Sequence, residues 1–321
     1  MESNYYLEFE NKFRGKREKI IDNLSIYDQL IETIVDGNPS PKFVDIGCGR
    51  GEWLQKWQNR FHDMCGIDSD QKMIETCRVN NLNVIEGDAI EVLSKFANES
   101  VNIITIFHLI EHLTHENLLE LLLECKRVLS NDGVLIMETP NIDNLLVSTK
   151  SFHIDPTHIN LIHPDLIAFD INKLGFSNVK TYNINCGPLK DATPLKITRV
   201  LNGVAQDLCI VATKQKATYE KLINKSSIWE AYFDGGVTTL QAAVEHDIKL
   251  EKLLDHFQDL SNSINQLVIE DQANKINSLE KDLILLRSQL KIIFYVLNLI
   301  KKLLKPLINF FRFIRKSILT L

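Results

Sequence analysis

Short runs of apolar residues alternate with helical patterns through the first two thirds of the chain. Seven of these runs have the length and composition of buried strands. They cover residues 43–46, 64–70, 83–89, 101–107, 134–137, 179–186 and 208–212. Helical crossovers join the first five runs, and the last two form a final pair. The pattern predicts an α/β fold with a doubly wound seven-stranded sheet in residues 1–213, and a ligand site at the carboxyl ends of the strands.

Residues 4–36 also have a helical pattern, which is broken near Gly15. Aromatic and aliphatic positions alternate there with basic ones. Two interpretations stay open: these helices cover the ligand site, or they dock on an edge of the sheet.

A heptad pattern follows in the C-terminal third. Its apolar positions step by four and three residues in two runs, separated by a break at residues 269–274. The runs comprise Leu253, Phe257, Leu260, Ile264 and Leu267, and then Ile276, Leu279, Leu283, Leu286, Leu290 and Ile293. This predicts a coiled coil over residues 241–292, after a connector at 214–240. The mixture of leucine and isoleucine at its core positions argues against a dimer.

The last segment, residues 293–321, is both apolar and basic. From Lys291 onward the chain has seven basic residues and no acid. Its longest uncharged run, residues 292–300, is shorter than the roughly 20 residues that a spanning helix needs. We therefore expect an amphipathic helix that lies on an anionic membrane surface or binds a partner protein, with Pro306 starting a second short helix.

Charge and cysteine content indicate which partners and which cellular compartment to expect. The net charge of the 321 residues is −6, and the part before the basic tail is more acidic than this value suggests. An acidic body is a poor binder of nucleic acid, so no nucleic-acid partner is expected. The six cysteines form no C-x-x-C pair, which indicates reduced thiols in the cytosol, and the N-terminus has no signal-peptide pattern.

The first predicted strand ends in a glycine-rich turn, Asp45-Ile-Gly-Cys-Gly-Arg-Gly51, before a helical pattern. Glycines let a backbone turn sharply and approach a ligand closely, and a strand, a glycine turn and a helix N-terminus favour a nucleotide-type ligand. The dinucleotide fingerprint requires its third glycine at the sixth position, where this chain has Glu52. The D-x-G-x-G-x-G form instead resembles motif I of class I S-adenosylmethionine (SAM) methyltransferases.

Acids follow the second and third predicted strands. Asp68 lies 17 residues past Gly51, close to the spacing at which an acid can accept hydrogen bonds from both ribose hydroxyls. Met73 is placed to pack on an adenine, and Asp88 to accept its amino group. For one acid alone, a surface turn is an ordinary role; the series at strand ends favours ligand binding.

Histidines cluster after the fourth and fifth predicted strands. Methyl transfer to a hydroxyl requires alignment and is helped by a general base, a role that suits a neutral histidine. The candidates are His108, His112, His153, His158 and His163, and the last three lie in one loop that we expect to form a polar acceptor wall. We predict that His108, His112 or His158 is the catalytic base.

The stretch His108-Leu-Ile-Glu-His112 also matches the inverted zinc-protease pattern H-x-x-E-H. That pattern requires a helix, whereas this stretch directly follows a predicted buried strand, so a protease is disfavoured. A divalent metal held here to polarise a hydroxyl stays open. Some small-molecule and RNA-terminus methyltransferases have a similar E-x-x-E-H arrangement, from which this chain departs at His108. No metal ligands are assigned.

Several stretches together resemble the methyltransferase domain of bacterial O-antigen chain terminators. They are Phe-Arg-Gly-Lys-Arg-Glu at 13–18, the glycine turn at 45–53, Phe-His-Leu-Ile-Glu-His-Leu at 107–113, Glu-Thr-Pro-Asn at 138–141 and Asp-Pro-Thr-His at 155–158. The coiled coil and basic C-terminus are also similar to that family. The resemblance implies a SAM-dependent enzyme that caps the non-reducing end of an O-polysaccharide and stops its elongation. It also implies a trimer that recruits the polymerase, a glycosyltransferase, to the cytoplasmic face of the inner membrane.

The resemblance carries SAM contacts onto Tyr5 or Tyr6, onto Arg14 or Arg17, and onto residues around the glycine turn and the next two strands. The assigned cofactor-binding residues are Tyr6, Arg17, Asp45, Gly47, Gly49, Gly51, Asp68, Ser69, Met73, Asp88, Ala89 and Leu109.

One departure from this family sets the expected acceptor. Some members have a kinase between the methyltransferase and the coiled coil, but residues 214–240 leave no room for one. The resemblance then implies methylation of a sugar hydroxyl of a polysaccharide rather than of a terminal phosphate. Two other classes stay open: a methyltransferase for a membrane-soluble small molecule such as a quinone precursor, and a SAM-binding scaffold that mainly recruits partners.

Overall fold

The computed structural model describes residues 5–38, 40–225 and 236–318. The chain divides into two compact units, the first ending at Lys249 and the second beginning at Leu250. The strands of the described residues are β1 (Phe43–Ile46), β2 (Met64–Asp68), β3 (Val84–Glu86), β4 (Val101–Phe107), β5 (Leu129–Pro140), β6 (Asn178–Cys186) and β7 (Ala205–Thr213). The α-helices are α1 (Tyr5–Phe13), α2 (Arg17–Asn23), α3 (Asp28–Val35), α4 (Glu52–Trp57), α5 (Gln71–Val79), α6 (Ala89–Leu93), α7 (His115–Val128), α8 (Pro164–Lys173), α9 (Ile197–Asn202), α10 (Lys216–Lys225) and α11 (Thr239–Ile318).

The strands form one seven-stranded sheet in the order β3-β2-β1-β4-β5-β7-β6. β7 is antiparallel to both of its neighbours, and the other pairings are parallel. The predicted α/β sheet of seven strands is thus confirmed. The chain order reverses between β1 and β4, which opens a crevice at the carboxyl ends of these strands.

Helices cover both faces of the sheet, so alternate residues of the central strands enter two different cores. In β1, Phe43 packs in one core with Trp53, whereas Val44 and Ile46 pack in the other. Asp45 is on the Phe43 side and is only 4% exposed. Burial on both faces explains why β1 is apolar except at the acid that opens the glycine turn.

Two arginines fasten the N-terminal helices to the glycine turn. Arg17 donates to the Arg50 carbonyl and to Gln55 Oε1, both at 2.6 Å. Arg50 in turn donates to Asn11 Oδ1 at 2.7 Å. Gly15, with a φ of 100°, forms the predicted break between α1 and α2. Side chains of α1 line the crevice, so these helices cover the site.

One strand begins earlier than the sequence indicates. The predicted apolar run covers residues 134–137, but β5 starts at Leu129, directly after α7. Leu129 pairs with Val101, and the register with β4 then shifts before Val134 pairs with Ile103. Residues 131 and 132 are exposed in this irregular part of the strand. Their polar character is compatible with strand pairing but interrupts the apolar pattern from which the strand was predicted.

The first unit continues beyond the domain end predicted at residue 213. α10 packs against α3, and Leu222 of α10 is buried. The start of α11 also belongs to this unit: Ala242 is buried, and Arg199 binds Glu245 at 2.9 Å. The middle of the predicted connector, residues 226–235, lies outside the described residues.

The second unit consists, in its described residues, of the remainder of the 80-residue helix α11. Pro306 lies inside this helix, so the prediction that it starts a separate helix is wrong. An internal proline removes one main-chain hydrogen bond and costs about 3 kcal/mol. The leucines and lysines on both sides of it are strong helix formers, which keep the helix continuous.

The apolar positions of both heptad runs are exposed on α11, and the coiled coil stays a prediction. α11 also contains a stretch that is long and apolar enough to cross a membrane by length and composition. The uncharged run at residues 292–300 is shorter than a span, but a spanning helix tolerates some lysines and arginines, because long basic side chains can reach a membrane interface from within it.

Candidate active site

The glycine turn after β1 is held against β2. Gly47 N–H donates to the Ile67 carbonyl at 2.8 Å. Gly47, Gly49 and Gly51 have φ values of 69°, 53° and 79°, a region in which other residues are strained. At Gly51 a Cβ atom would also lie 2.5 Å from Leu82 Cδ1. Backbone conformation therefore favours all three glycines, and packing additionally requires the third.

Asp68, at the carboxyl end of β2, is fixed beside this turn. Its Oδ2 accepts from Gly49 N–H and its Oδ1 from Asp70 N–H, both at 2.8 Å. Burial raises the pKa of Asp68, and these hydrogen bonds partly oppose that effect. Each oxygen has a second lone pair for a ligand. The cavity that Asp68 faces is also lined by Gly47, Gly49, Ser69, Met73 and Leu109.

An adjoining cavity is lined by Asp88, Ala89 and Leu109. Asp88 is the N-cap of α6, because its Oδ1 accepts from Ile90 N–H at 2.9 Å and from Glu91 N–H at 3.1 Å. From the sequence, Asp88 was predicted only to contact a ligand. Asp88-x-x-Glu91 is also related to a signature of helix starts. Since the cap uses Oδ1, the predicted adenine contact would use Oδ2.

Asp45 lies at the centre of the crevice, where β1 meets the glycine turn. Its Oδ1 accepts from Thr105 Oγ1, on the neighbouring strand β4, at 2.7 Å. Burial raises the pKa of Asp45 to about 7. Asp45 lines a cavity together with Gly47 and His108, so it lies between the glycine turn and the histidine side of the crevice.

The N-terminal contacts differ from the residues assigned by sequence. Arg17 holds the glycine turn through main-chain and side-chain bonds, whereas Arg14 lines three cavities of the crevice. Arg14 also pairs with Glu10 at 3.0 Å. The structure therefore favours Arg14 for direct contact with a ligand. The side chain of Tyr6 lies outside the described residues.

His108 is the centre of a buried charge network at the end of β4. Its Nε2 lies 3.0 Å from Glu138 Oε1 and 3.9 Å from Asp207 Oδ1, and its Nδ1 lies 3.3 Å from Glu111 Oε1. Burial lowers the pKa of His108, but the hydrogen bonds to Glu111 and Glu138 and the charge of Asp207 outweigh it and raise the pKa well above its ordinary value. This geometry holds His108 as a cation and disfavours it as the base.

The carboxylates of this network are satisfied on their other oxygens. Thr139 Oγ1 donates to Glu111 Oε2 at 3.0 Å, and the Tyr27 hydroxyl donates to Glu138 Oε2. Burial alone would raise the pKa of Glu111, but the hydrogen bond and charge of His108 lower it. Tyr27, Glu138 and Asp207 were not predicted from the sequence as site residues. They come from distant segments, and only the position of Glu138 at a strand end could have indicated a role.

His112 and His158 form another wall of the crevice, with ring centroids 4.7 Å apart. His112 Nδ1 lies 2.9 Å from Thr157 Oγ1, and His158 Nδ1 donates to the Phe152 carbonyl at 2.7 Å. The pKa of His112 is lowered, mainly by burial. The two predicted histidines are thus brought together and fixed in orientation.

The other two loop histidines do not join this wall. His163 is the N-cap of α8, where its Nδ1 accepts from Asp165 N–H at 3.2 Å. His153 packs against Phe152, with ring centroids 5.4 Å apart. Of the three histidines that the sequence placed in one acceptor wall, only His158 therefore lies there.

Two cavities meet at this wall. The first is lined by Asp68, Met73 and the glycine turn, and the second by Phe9, Glu111 and His158. Arg14, His108 and His112 line both. A molecule bound at the second cavity would therefore lie beside a ligand bound at the glycine turn.

Comparisons with known proteins identify the family of the chain. A family model described as "Methyltransferase domain" matches residues 44–137. The solved structure of a SAM-dependent methyltransferase from Archaeoglobus fulgidus is 30% identical, with a TM-score of 0.55; the match covers 65% of this chain and 99% of that one. The chain belongs to the SAM-dependent methyltransferase family.

Two curated relatives match a shorter region of this SAM-dependent methyltransferase. They are the ribosomal RNA small subunit methyltransferases A of Mycoplasma mycoides subsp. mycoides and Mycoplasma capricolum subsp. capricolum, 26% and 25% identical over 97 residues. The match covers 27% of this chain and 36% of each relative. It is too short to transfer a substrate.

The first cavity fits SAM in its chemistry. Asp68 offers two fixed acceptor oxygens for ribose hydroxyls, and Met73 and Leu109 offer apolar surfaces to adenine. Gly47 lies so close to Leu109 that a Cβ would be 3.1 Å from its side chain. Packing and the positive φ therefore both favour glycine at this position, as expected for a turn whose backbone contacts a cofactor.

Proposed function

We propose that this SAM-dependent methyltransferase methylates a sugar hydroxyl at the non-reducing end of an O-antigen polysaccharide, and so ends chain growth and controls chain length. The acceptor would occupy the second cavity, beside His112 and His158. Carboxylates, imidazoles and Arg14 line this cavity together with Phe9 and Phe13. Polar side chains next to aromatic faces suit a sugar, which has hydroxyls on its edge and apolar C–H groups on its faces.

Some residues of the site orient the cofactor, and others activate the acceptor hydroxyl. Bound SAM supplies an electrophilic methyl group next to a positively charged sulfur. The glycine turn and Asp68 hold the cofactor, and the cationic His108, fixed by two carboxylates, lines the cofactor cavity. His112 and His158 face the acceptor and are the groups available to activate its hydroxyl.

The observation that carries the proposal is the 80-residue helix that follows the catalytic unit. Its exposed apolar residues recur at heptad spacing, which suits association of several copies, and we propose a trimer. An enzyme for a small diffusing substrate needs no such spacer. An enzyme that sets the length of a polymer does, because the distance between the capping site and the polymerase can then measure the chain.

The basic end of α11 supports a location at the cytoplasmic face of the inner membrane. Each cation near an anionic surface contributes about 1 kcal/mol of binding, so we propose a peripheral contact there and recruitment of the glycosyltransferase. Flotation with vesicles of phosphatidylglycerol and phosphatidylcholine, at low and high salt, tests this. Loss of binding in high salt supports the peripheral contact, whereas binding that resists both salt and alkaline extraction would mean that α11 spans the membrane.

The alternative is a methyltransferase for a membrane-soluble small molecule such as a quinone precursor. The second cavity has both apolar and charged walls, and its charged and imidazole groups, among them Arg14 and His158, would pair with several sugar hydroxyls but have few partners on a quinone ring. The ribosomal RNA named for the Mycoplasma relatives is a less suitable target, because the net charge of −6 opposes binding to a polyanion.

The decisive experiment is end-group analysis of the surface polysaccharide. Mass spectrometry and NMR should find a methyl ether on the terminal sugar in cells with this protein, and longer unmethylated chains without it. Asp68→Ala is the matched control, because it removes a predicted SAM contact but leaves α11 unchanged, and it should behave like the deletion. A glycan with the same end group in all three strains would show that the acceptor is something else.

A further inference from the structure

The wall of the second cavity has the composition of a metal centre. We propose that Glu111, His112 and His158 bind one divalent transition-metal ion, of the zinc type, which holds the acceptor hydroxyl next to the methyl donor. The proposal rests on, and deepens, the proposed function, because it assigns the activation of the hydroxyl to an ion rather than to a histidine base. The three residues each place one ligand atom within 4.8 Å of the others.

The tautomer of His158 leaves a lone pair for the ion. His158 Nδ1 lies 2.7 Å from the Phe152 carbonyl oxygen, which can only accept. Nδ1 therefore carries the proton, and in the neutral ring Nε2 is the lone pair. That atom is the one that points toward Glu111, with Nε2 4.0 Å from Glu111 Oε1. Metal-bound histidines have this arrangement, in which a backbone carbonyl fixes the second nitrogen.

His112 is oriented in the same way by a short chain of hydrogen bonds. Thr157 Oγ1 donates its one proton to Asp155 Oδ1 at 2.6 Å. The same oxygen lies 2.9 Å from His112 Nδ1, so it can only accept there, and Nδ1 carries the proton. Nε2 of His112 is then the second lone pair. A carboxylate, a hydroxyl and an imidazole in series are an arrangement that orients a metal-bound histidine.

Glu111 supplies the carboxylate ligand. Its side chain is fully buried, at 0% exposure. Oε2 accepts from Thr139 at 3.0 Å, and Oε1 lies 3.3 Å from His108 Nδ1 and 4.0 Å from His158 Nε2. Oε1 therefore faces both histidines, and on the His158 side it has a lone pair that an ion can use.

The distances suit an ion with minor movement of the side chains. Metal–nitrogen and metal–oxygen bonds to zinc are about 2.0–2.2 Å. In a tetrahedral site two such bonds place their ligand atoms about 3.3–3.5 Å apart, so the 4.0 Å between His158 Nε2 and Glu111 Oε1 has to shorten by about half an ångström. The widest pair, within 4.8 Å, has to close by at most about 1.5 Å, a distance that side-chain rotation can supply.

The surrounding charge also favours a cation. Asp155 is buried, and its Oδ2 lies 4.0 Å from His158 Nε2. Glu138 and Asp207 lie behind Glu111 around His108. Four carboxylates thus surround one imidazolium in this part of the crevice. The neighbouring cluster of His108, Glu138 and Asp207 is a poorer site, because both nitrogens of His108 already face carboxylates.

The ligand types indicate which ion binds. Two imidazoles and one carboxylate suit zinc and similar transition metals, whereas magnesium prefers oxygen ligands and keeps several waters. Three protein ligands leave at least one position open, as in catalytic zinc sites. The acceptor hydroxyl would take that position, where the ion lowers its pKa. Its proton leaves to solvent, and the oxygen forms the new C–O bond while the C–S bond breaks and its electron pair stays on the sulfur.

Metal binding can be measured without any acceptor. Full-length protein is stripped with EDTA, dialysed against Zn²⁺, Mn²⁺ or Mg²⁺, and analysed by mass spectrometry for bound metal. We expect one Zn²⁺ per chain and no retained Mg²⁺, and a Co²⁺ form with visible d–d absorption of a site with nitrogen ligands. Protein that retains no Zn²⁺ above the level of a bovine serum albumin blank after imidazole washing would overturn the proposal.

Variants locate the ion and exclude adventitious binding. His112→Ala and His158→Ala should each abolish stoichiometric Zn²⁺ uptake, and Thr157→Val, which removes only the oxygen that fixes His112, should raise the Kd about 10- to 100-fold. His153→Ala is the matched control, from the same loop but outside the cluster, and should bind Zn²⁺ normally. An unchanged circular dichroism spectrum and urea midpoint show that each variant is folded. Equal loss in His153→Ala and His158→Ala would refute the site.

The two proposals fail in different ways. If the protein binds Zn²⁺ at these residues but the glycan end group is not methylated, the metal site stands and the acceptor is wrong. If the end group is methylated by protein that contains no metal and is insensitive to chelators, the proposed function stands and a histidine acts as the base instead.

Discussion

The first cavity, at the glycine turn, and the second cavity, at the histidine wall, are built in different ways. We call them the cofactor half and the acceptor half of the crevice. The cofactor half consists of backbone: a turn with three glycines at positive φ, and acids whose oxygens are held by main-chain N–H groups. The acceptor half consists of side chains that satisfy one another, with His108 held by both Glu111 and Glu138. The first half therefore depends on local conformation, and the second on the balance of buried charge.

This difference explains why the two halves respond differently to substitution. A backbone cradle loses individual ligand contacts and otherwise keeps its shape. A buried network of ions loses stability as a whole when one member is removed, because the remaining charges have no counter-ion. We therefore expect the largest effects on folding from the acceptor half and the clearest effects on SAM affinity from the cofactor half.

The strongest test of this comparison is His108→Ala. It leaves Glu111 and Glu138 buried without their cation, and should lower the free energy of unfolding by about 3–5 kcal/mol. Urea unfolding followed by the fluorescence of the buried Trp53 and Trp57 measures this. His115→Ala is the matched control, because His115 pairs with Asp170 at 2.9 Å but is 52% exposed. We expect a loss of less than about 1 kcal/mol there. Equal effects in the two variants would contradict the charge-network description.

The pH dependence of stability tests Asp45, which lies where the two halves meet. Burial raises the pKa of Asp45 to about 7, above its value in the unfolded chain, so folding favours the protonated carboxyl. The associated stability is present in acid and is lost as the pH rises through 7. Asp45→Asn keeps the acceptor for Thr105 but cannot ionise. Relative to this variant, the wild type should lose about 2–3 kcal/mol of unfolding free energy between pH 5 and pH 8.

The control for this titration is Asp132→Asn, at an exposed position of β5. It should follow the wild type at both pH values. If Asp45→Asn also follows the wild type, Asp45 is ionised in the folded protein throughout this range, and its environment is more polar than its burial indicates.

The same difference, between local conformation and contacts of distant residues, determines how much of the fold and the site the sequence could predict. The sheet, the glycine turn and Asp68 follow from periodicity and short motifs, because neighbours along the chain determine them. The contact between His108 and Asp207 joins residues 99 positions apart and carries no local signal. Arg14 and Arg17 lie on the same N-terminal segment, and only the packing of α1 and α2 distinguishes the arginine at the crevice from the one that holds the turn.

Within the cofactor half, Asp68→Ala should weaken SAM binding by roughly 1.5–3 kcal/mol, the range for hydrogen bonds to a charged group. This corresponds to about a 10- to 150-fold rise in Kd, which calorimetry measures. Asp68→Asn keeps one acceptor oxygen and should fall between the wild type and the alanine variant. An unchanged SAM affinity in Asp68→Ala would show that the cofactor does not contact this strand end.

The smallest predicted effect separates the two roles of Asp88, as a helix cap and as an adenine contact. Asp88 Oδ1 caps α6, and we predict that Oδ2 accepts from the adenine amino group. Asp88→Asn keeps an oxygen for the cap but replaces the second acceptor with a donor. It should therefore raise the Kd for SAM by about 2- to 10-fold, the equivalent of one hydrogen bond, with little change in stability. Asp88→Ala removes the cap as well and should also lower the unfolding free energy by about 1 kcal/mol. If Asp88→Asn binds SAM normally while Asp88→Ala is destabilised, Asp88 acts only as a helix cap, and adenine is recognised by the backbone and apolar surfaces of the cavity alone.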